Sequence, residues 1–151
     1  MVDMTEGRAI RVAFVDREFS GAEAVTWAMG NVEGIEPVGA FRDVSGLLES
    51  GVLDRTDVLM AEGATWEGST LEDTVVQIKA LRARHPEVPV LMVARFADVA
   101  GAAMSAGAVG YVSKAESFDV MVDAVRRVAA GEQNVFGPLG PQGNGDTLAR
   151  E

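Results

Sequence analysis

Thr56-Asp57-Val58-Leu59-Met60-Ala61-Glu62-Gly63 decides how this chain folds. Four consecutive apolar residues, preceded by Asp57 and ended by an acid and a glycine, read as a parallel strand buried on both faces that carries the Glu62 carboxylate to its carboxyl end. Two other runs end the same way. Ile10 to Val15 leads into Asp16-Arg17-Glu18, and Val109 to Ser113 leads into Lys114. If all three lie in one parallel sheet, Asp16, Arg17, Glu62 and Lys114 converge on one of its edges.

Outward from that strand, apolar runs alternate with helical patterns. The first strand is Arg8 to Val15, and Ser20 to Glu23 has capping-box spacing. In the helix it opens, Ala24, Trp27 and Ala28 recur at helical intervals until Gly30-Asn31. Ile35 to Phe41 makes a strand in which Pro37 and Gly39 suit an edge position. Asp43 to Ser50 is a short helix closed by Gly51. After a loop containing Trp66, Ser69 to Glu72 has capping-box spacing. Leu71, Val75, Ile78 and Leu81 then share one face of a helix that ends at His85-Pro86. Val88 to Ala94 is a nearly continuous apolar strand, and Asp98 is expected to cap an Ala-rich helix to Ala106. Phe118, Met121, Val122, Val125 and Val128 form the clearest amphipathic stripe, in a helix capped at Ser117.

Strands alternating with helices through short loops give an α/β fold: a flavodoxin-like, doubly wound parallel sheet of five strands in the order 2-1-3-4-5. Such sheets place the working site at the carboxyl ends of the strands, at the switch point between the first and third. Residues 1–7 read as a flexible lead, 8–136 as the single domain, and the Gly/Pro-rich 137–151 as a tail or linker.

A chain of 151 residues, 48% hydrophobic and 24% charged, has room for one real core. Its net charge of -10 argues against direct nucleic-acid binding, which needs clustered basic groups. Arg126-Arg127 reads as a solvated helix face. No apolar run reaches the roughly 20 residues of a membrane helix, and 1–7 is too polar for a signal peptide, so a cytoplasmic location is expected. The chain has no cysteine, which removes thiol catalysis and thiolate metal sites. The single histidine, His85, stands at a helix end far from any nucleophile, Gly63 and Gly68 are followed by no Lys-Ser/Thr pair, and Ser113 and Lys114 point to opposite faces of their strand. No enzyme activity is expected.

The Asp16, Glu62 and Lys114 positions, with the segment Ala-Gly-Ala-Val-Gly-Tyr-Val-Ser-Lys ending at Lys114, resemble a response-regulator receiver domain of the CheY-like superfamily, in its NarL/LuxR-type group, from about Ile10 to Phe136. The resemblance implies a fold that takes a phosphoryl group on an aspartate with Mg²⁺, and thereby changes how it dimerises or engages an output domain. Its pattern has an acidic pair after the first strand, an aspartate ending the third, a Ser or Thr ending the fourth and a lysine after the fifth. Asp16 and Lys114 match, and Tyr111 falls on the aromatic switch position. Lys114 is one of only two lysines in the chain. Arg17 replaces the second acid, Glu62 the acceptor aspartate, and Ala94 the hydroxyl residue.

Those departures change the chemistry. Two carboxylates against Arg17 and Lys114 sum to zero charge, where an ordinary pocket keeps the net negative charge that draws a divalent cation. Mg²⁺ binding is therefore expected to be weak or absent, and no cofactor is expected. Arg17 either pairs with Asp16 or Glu62 or points into solvent. Glu62 is a phosphomimic, a dead acceptor or the partner of Lys114 in a fixed ion pair. Without a hydroxyl at 94, Tyr111 is either a switch residue or a half-buried aromatic. Trp66 and Phe96 either form an apolar lid over the same site, for a small molecule, or pack on a neighbouring helix. The expectation is an atypical, phosphorylation-independent receiver in transcriptional control, homodimeric through the last helix, Ser117 to Ala130, and its neighbours. The alternatives are a small-molecule-sensing pseudo-receiver and a conventional Mg²⁺-dependent phosphoacceptor. The group usually carries a helix-turn-helix output module after the linker; none follows here, so the chain is expected to be a fragment or to act through partners.

Overall fold

The computed structural model describes residues 7–17, 19–62, 71–94 and 97–138. The elements are β1 (Ile10–Val15), α1 (Phe19–Gly30), β2 (Ile35–Phe41), α2 (Val44–Ser50), a 3-10 turn (Val52–Arg55), β3 (Val58–Glu62), α3 (Leu71–Arg84), β4 (Val90–Ala94), α4 (Ala97–Ala106), β5 (Gly110–Ser113), α5 (Phe118–Ala129) and β6 (Val135–Phe136). The strands form one parallel sheet in the order β2-β1-β3-β4-β5-β6.

The central strands are apolar on both faces because both are covered. Ala13, Leu59, Val90 and Met92 pack toward Leu47 of α2, Ile78 and Leu81 of α3, and Ala100 and Ala103 of α4. Val12, Phe14, Val58, Met60, Leu91 and Val93 pack toward Met29 of α1 and the Val122, Val125 and Val128 stripe of α5. Each of these valines stabilises the fold by about 1.5–3 kcal/mol relative to exposure. Caps fix the ends of α2 and α5. Asp43 accepts from the Gly46 amide at 2.7 Å, Gly51 closes α2 with φ 73°, and the Ser117 hydroxyl accepts from the Val120 amide at 3.4 Å. β2 is the edge strand its Pro37 and Gly39 suited, and its register slips there, with Val12 opposite Pro37 and Ala13 opposite Gly39.

Three details differ from the sequence reading. The sheet has six strands rather than five. Val135–Phe136 adds beside β5, where Gly110 lets it approach: a Cβ on Gly110 would lie 2.6 Å from the Val135 carbonyl oxygen. Two residues are too few to show a period, so the strand has no signature of its own. In α1 the buried face is Ala22 and Met29, with Val25 packed against it, whereas Trp27 is 76% exposed. The helix is apolar on most sides, so its spacing did not single out the inward face. Asp98 and Ser20 are the second residues of α4 and α1 rather than their caps, a two-residue shift of each boundary.

At the amino ends of the strands, Asp57 joins β3 to β1. Its carboxylate receives Arg8 Nη1 at 2.6 Å and Nη2 at 2.9 Å, a forked pair, together with the Arg11 amide at 2.8 Å. Burial alone would raise this carboxyl, but the bonds from Arg8 and Arg11 outweigh it and hold it at about 2, below its ordinary 3.8. A carboxylate depressed in the folded state contributes fully above its unfolded value and loses that contribution as pH falls toward the folded one. Urea unfolding is therefore expected to show wild type losing stability between about pH 4 and pH 2, with Asp57→Asn lacking that component. Parallel acid profiles for the two chains would contradict the assignment.

Candidate functional site

The carboxyl ends of β1, β3 and β5 bring all four residues expected to converge to one edge, with Arg17 and Lys114 in clefts on opposite sides of Asp16 and Glu62. The Glu62 carboxylate lies at the end of β3, and Lys114 Nζ, one residue beyond β5, donates to Glu62 Oε1 at 2.7 Å. Their side chains are 6% and 24% exposed. The pair spans β4, which lies between the two strands. Of the alternatives open for Glu62, the structure shows the ion pair with Lys114.

Asp16 follows β1, its amide donating to the Phe41 carbonyl at 2.9 Å. Its carboxylate lies over the first turn of α1, where a Cβ on Gly21 would stand 3.3 Å from Oδ2. Arg17 is exposed. It lines a cleft of about 310 Å³ on the α2/α3 side of the sheet, together with Asp16, Glu62, Arg42, Thr74 and Gln77. Arg42, Thr74 and Gln77 were not among the residues picked out from the sequence. They come from a loop and a helix face, and only the packing of α3 beside β1 and β3 assembles them.

The fourth strand ends in Ala94, whose methyl offers no hydrogen bond. Its backbone carbonyl is used twice: the Lys114 amide donates to it at 2.9 Å and the Tyr111 hydroxyl at 3.2 Å. Tyr111 is 1% exposed, so it is fully buried rather than half-buried. Ser113 is also buried, and its hydroxyl accepts from the Ala115 amide at 3.1 Å, turning the chain directly after Lys114. Trp66 and Phe96, the expected lid, lie outside the described residues. Among the described residues no three His, Asp or Glu side chains are grouped so as to hold a metal ion, and no helix is long and apolar enough to cross a membrane.

Removing one partner from a largely buried ion pair strands the other charge, whereas removing both costs less. Lys114→Met is expected to destabilise the chain by about 1–3 kcal/mol, and Glu62→Gln with Lys114→Met by less than the sum of the single changes. A thermodynamic cycle from urea unfolding measures this. Strict additivity would mean that the contact carries no coupling.

Neither a protein-family model nor a curated protein sequence matches this chain. Solved structures do. A LuxR-family two-component response regulator from Aurantimonas sp. SI85-9A1 superposes with a TM-score of 0.75 at 18% identity, over 93% of this chain and 99% of that one. The isolated receiver domain of RcsB from Salmonella enterica serovar Typhimurium gives 0.70 at 16% identity, over 85% and 94%. The receiver domain of the putative response regulator NarL from Mycobacterium tuberculosis gives 0.69 at 21%, over 83% and 99%. The parallel sheet with strand order β2-β1-β3-β4-β5 and helices on both faces accounts for these likenesses in fold. The chain has the CheY-like receiver-domain fold of response regulators.

Proposed function

We propose that this chain is a regulatory receiver module that works without phosphorylation. One observation carries the reading: the carboxylate at the acceptor position, Glu62, is already engaged by Lys114 at 2.7 Å and is nearly buried. Phosphoryl transfer needs a carboxylate oxygen in line with the donor; the ion pair fixes the Glu62 carboxylate in one orientation, and small misplacements cost rate steeply. Glu62 is also one methylene longer than the aspartate this position usually holds, and Ala94 supplies no hydroxyl to a phosphoryl oxygen. The donor set does not fit Mg²⁺ either. Arg17 brings a cation where a hard metal needs an oxygen ligand.

Without a phosphoryl signal, the output has to come from a fixed surface. Tyr111 is held inward by the Ala94 carbonyl, which supports a single maintained state of the α4-β5 face. The solved neighbours include RcsB dimers bound to DNA and RcsB bound to the promoter rprA, and this chain spans 62% of the latter. By analogy, the role is transcriptional control exercised through a DNA-binding output domain or partner, because the acidic segment itself is a poor match for nucleic acid. Homodimerisation is proposed through α5 and the neighbouring α1. The two sit on one face of the sheet, Arg126 of α5 reaches the Glu33 carbonyl after α1 at 3.1 Å, and Trp27 is the large exposed apolar side chain there.

Two measurements test this. Intact mass after incubation with acetyl phosphate and Mg²⁺ is expected to show no adduct on the natural chain, and an adduct on a chain carrying Glu62→Asp, Arg17→Asp and Ala94→Thr. A site-specific adduct on the natural chain would restore conventional phosphotransfer. Sedimentation velocity is expected to show a dimer that Trp27→Glu converts to monomer while the far-UV circular dichroism spectrum stays that of the natural chain. A natural chain that is monomeric at every concentration would remove the dimer.

A further inference from the structure

The Glu62–Lys114 pair borders a second cleft, on the α1/α5 side of the sheet and opposite the one that contains Arg17. It encloses about 240 Å³. Its walls are apolar, formed by Phe14, Ala22, Val25, Met60, Val93 and Met121, and three charged residues line it: Asp16, Glu62 and Lys114. At about 30 Å³ per water, the space corresponds to roughly eight water volumes, the size of a small organic ligand rather than an ion.

The charges select the ligand. Two carboxylates and one ammonium leave the lining with a net negative charge, while Arg17 and Arg42 line the other cleft. An anion brought to Lys114 would be repelled by both carboxylates in surroundings of low polarity. A metal ion would find apolar walls in place of the oxygen ligands it needs, and among the described residues no grouping of acids suited to a metal. A compact ammonium on an apolar tail satisfies both features, since a carboxylate has several lone-pair sites and can accept a further N–H whatever else it bonds.

We infer that this cleft binds a small apolar amine in its protonated form, with the ammonium on Asp16 and the hydrocarbon tail between α1 and α5. The inference rests on the reading of Glu62 as held by Lys114 rather than as an acceptor. The two stand or fall on different readouts, probe binding for the one and a phosphoryl adduct for the other. Occupation would press on Ala22 and Val25 of α1 and Met121 of α5, the two helices assigned above to self-association. The ligand would thus act on the same surface.

The test uses the full ¹⁵N-labelled chain titrated with n-hexylammonium, n-hexanol and n-hexanoate at neutral pH, followed by amide chemical shifts. Hexylammonium is expected to shift the amides of Ala22, Val25, Met60 and Met121 saturably and to bind roughly tenfold tighter than hexanol, the contribution of one charge-assisted contact. Hexanoate is expected to leave those amides in place. Asp16→Asn should reduce hexylammonium to the affinity of hexanol, and Val25→Trp or Met121→Phe, each filling the cleft, should abolish binding of both. Hexanoate binding as tightly as hexylammonium would overturn the inference. So would shifts that survive in whichever cleft-filling variants fold, or no saturable shift with any probe.

Discussion

A lysine ammonium and a glutamate carboxylate 2.7 Å apart, with the carboxylate almost sealed from water, constrain the whole carboxyl edge of this sheet. Neither charge can be left alone at that depth without a large desolvation penalty, so each holds the other in place. Because the pair bridges β3 and β5 across β4, it ties three strands at the end where such folds do their work. An ion pair of this kind adds less to stability than to definition: it specifies one arrangement of the edge and makes others costly.

The surrounding residues are consistent with that constraint. Ala94 leaves room and no hydroxyl, and its carbonyl takes up both the Lys114 amide and the Tyr111 hydroxyl. The backbone thus supplies the anchoring that a side chain would otherwise provide. Asp16 and Glu62 then line two clefts of opposite character. One is polar and contains Arg17 and Arg42, and the other is apolar and contains Lys114. Basic residues lie on both sides of the two acids, Arg17 and Arg42 in one cleft and Lys114 in the other. At the far end of the strands, Arg8 and Asp57 fix β1 against β3, so β3 is held by a charged contact at each of its ends.

Much of this fold could be read from the sequence because the central strands are buried on both faces and appear as plain apolar runs. Val58 to Ala61 and Val90 to Ala94 need no periodicity to be recognised. The α5 stripe was legible for a different reason, its one-sided helical period, and Ser117 caps the helix as its position suggested. What escaped was set by tertiary contact. β6 exists because Gly110 has no side chain, and nothing in Val135-Phe136 announces it. α1 is too uniformly apolar for spacing to show that Trp27 faces outward. Within the site, Asp16, Glu62 and Lys114 could be placed by their positions after strands, while the choice of Lys114 as the partner of Glu62 depended on side-chain reach across β4. The α2/α3 cleft, drawn from Arg42, Thr74 and Gln77, could not be seen before the helices were in place. The site is carried by a few isolated positions, which fits a chain whose likeness to solved structures lies in its fold.

The central claim is that this carboxyl edge is closed by its own ion pair and has no use for a divalent cation. The most direct measurement is a Mg²⁺ titration of the ¹⁵N-labelled chain to roughly 10 mM, about tenfold above the weakest oxygen-ligand calcium sites, with the amides of Asp16, Glu62 and Lys114 followed throughout. The account predicts that none of the three moves beyond the uniform effect of ionic strength. Saturable shifts confined to these amides would show a working metal site and contradict it.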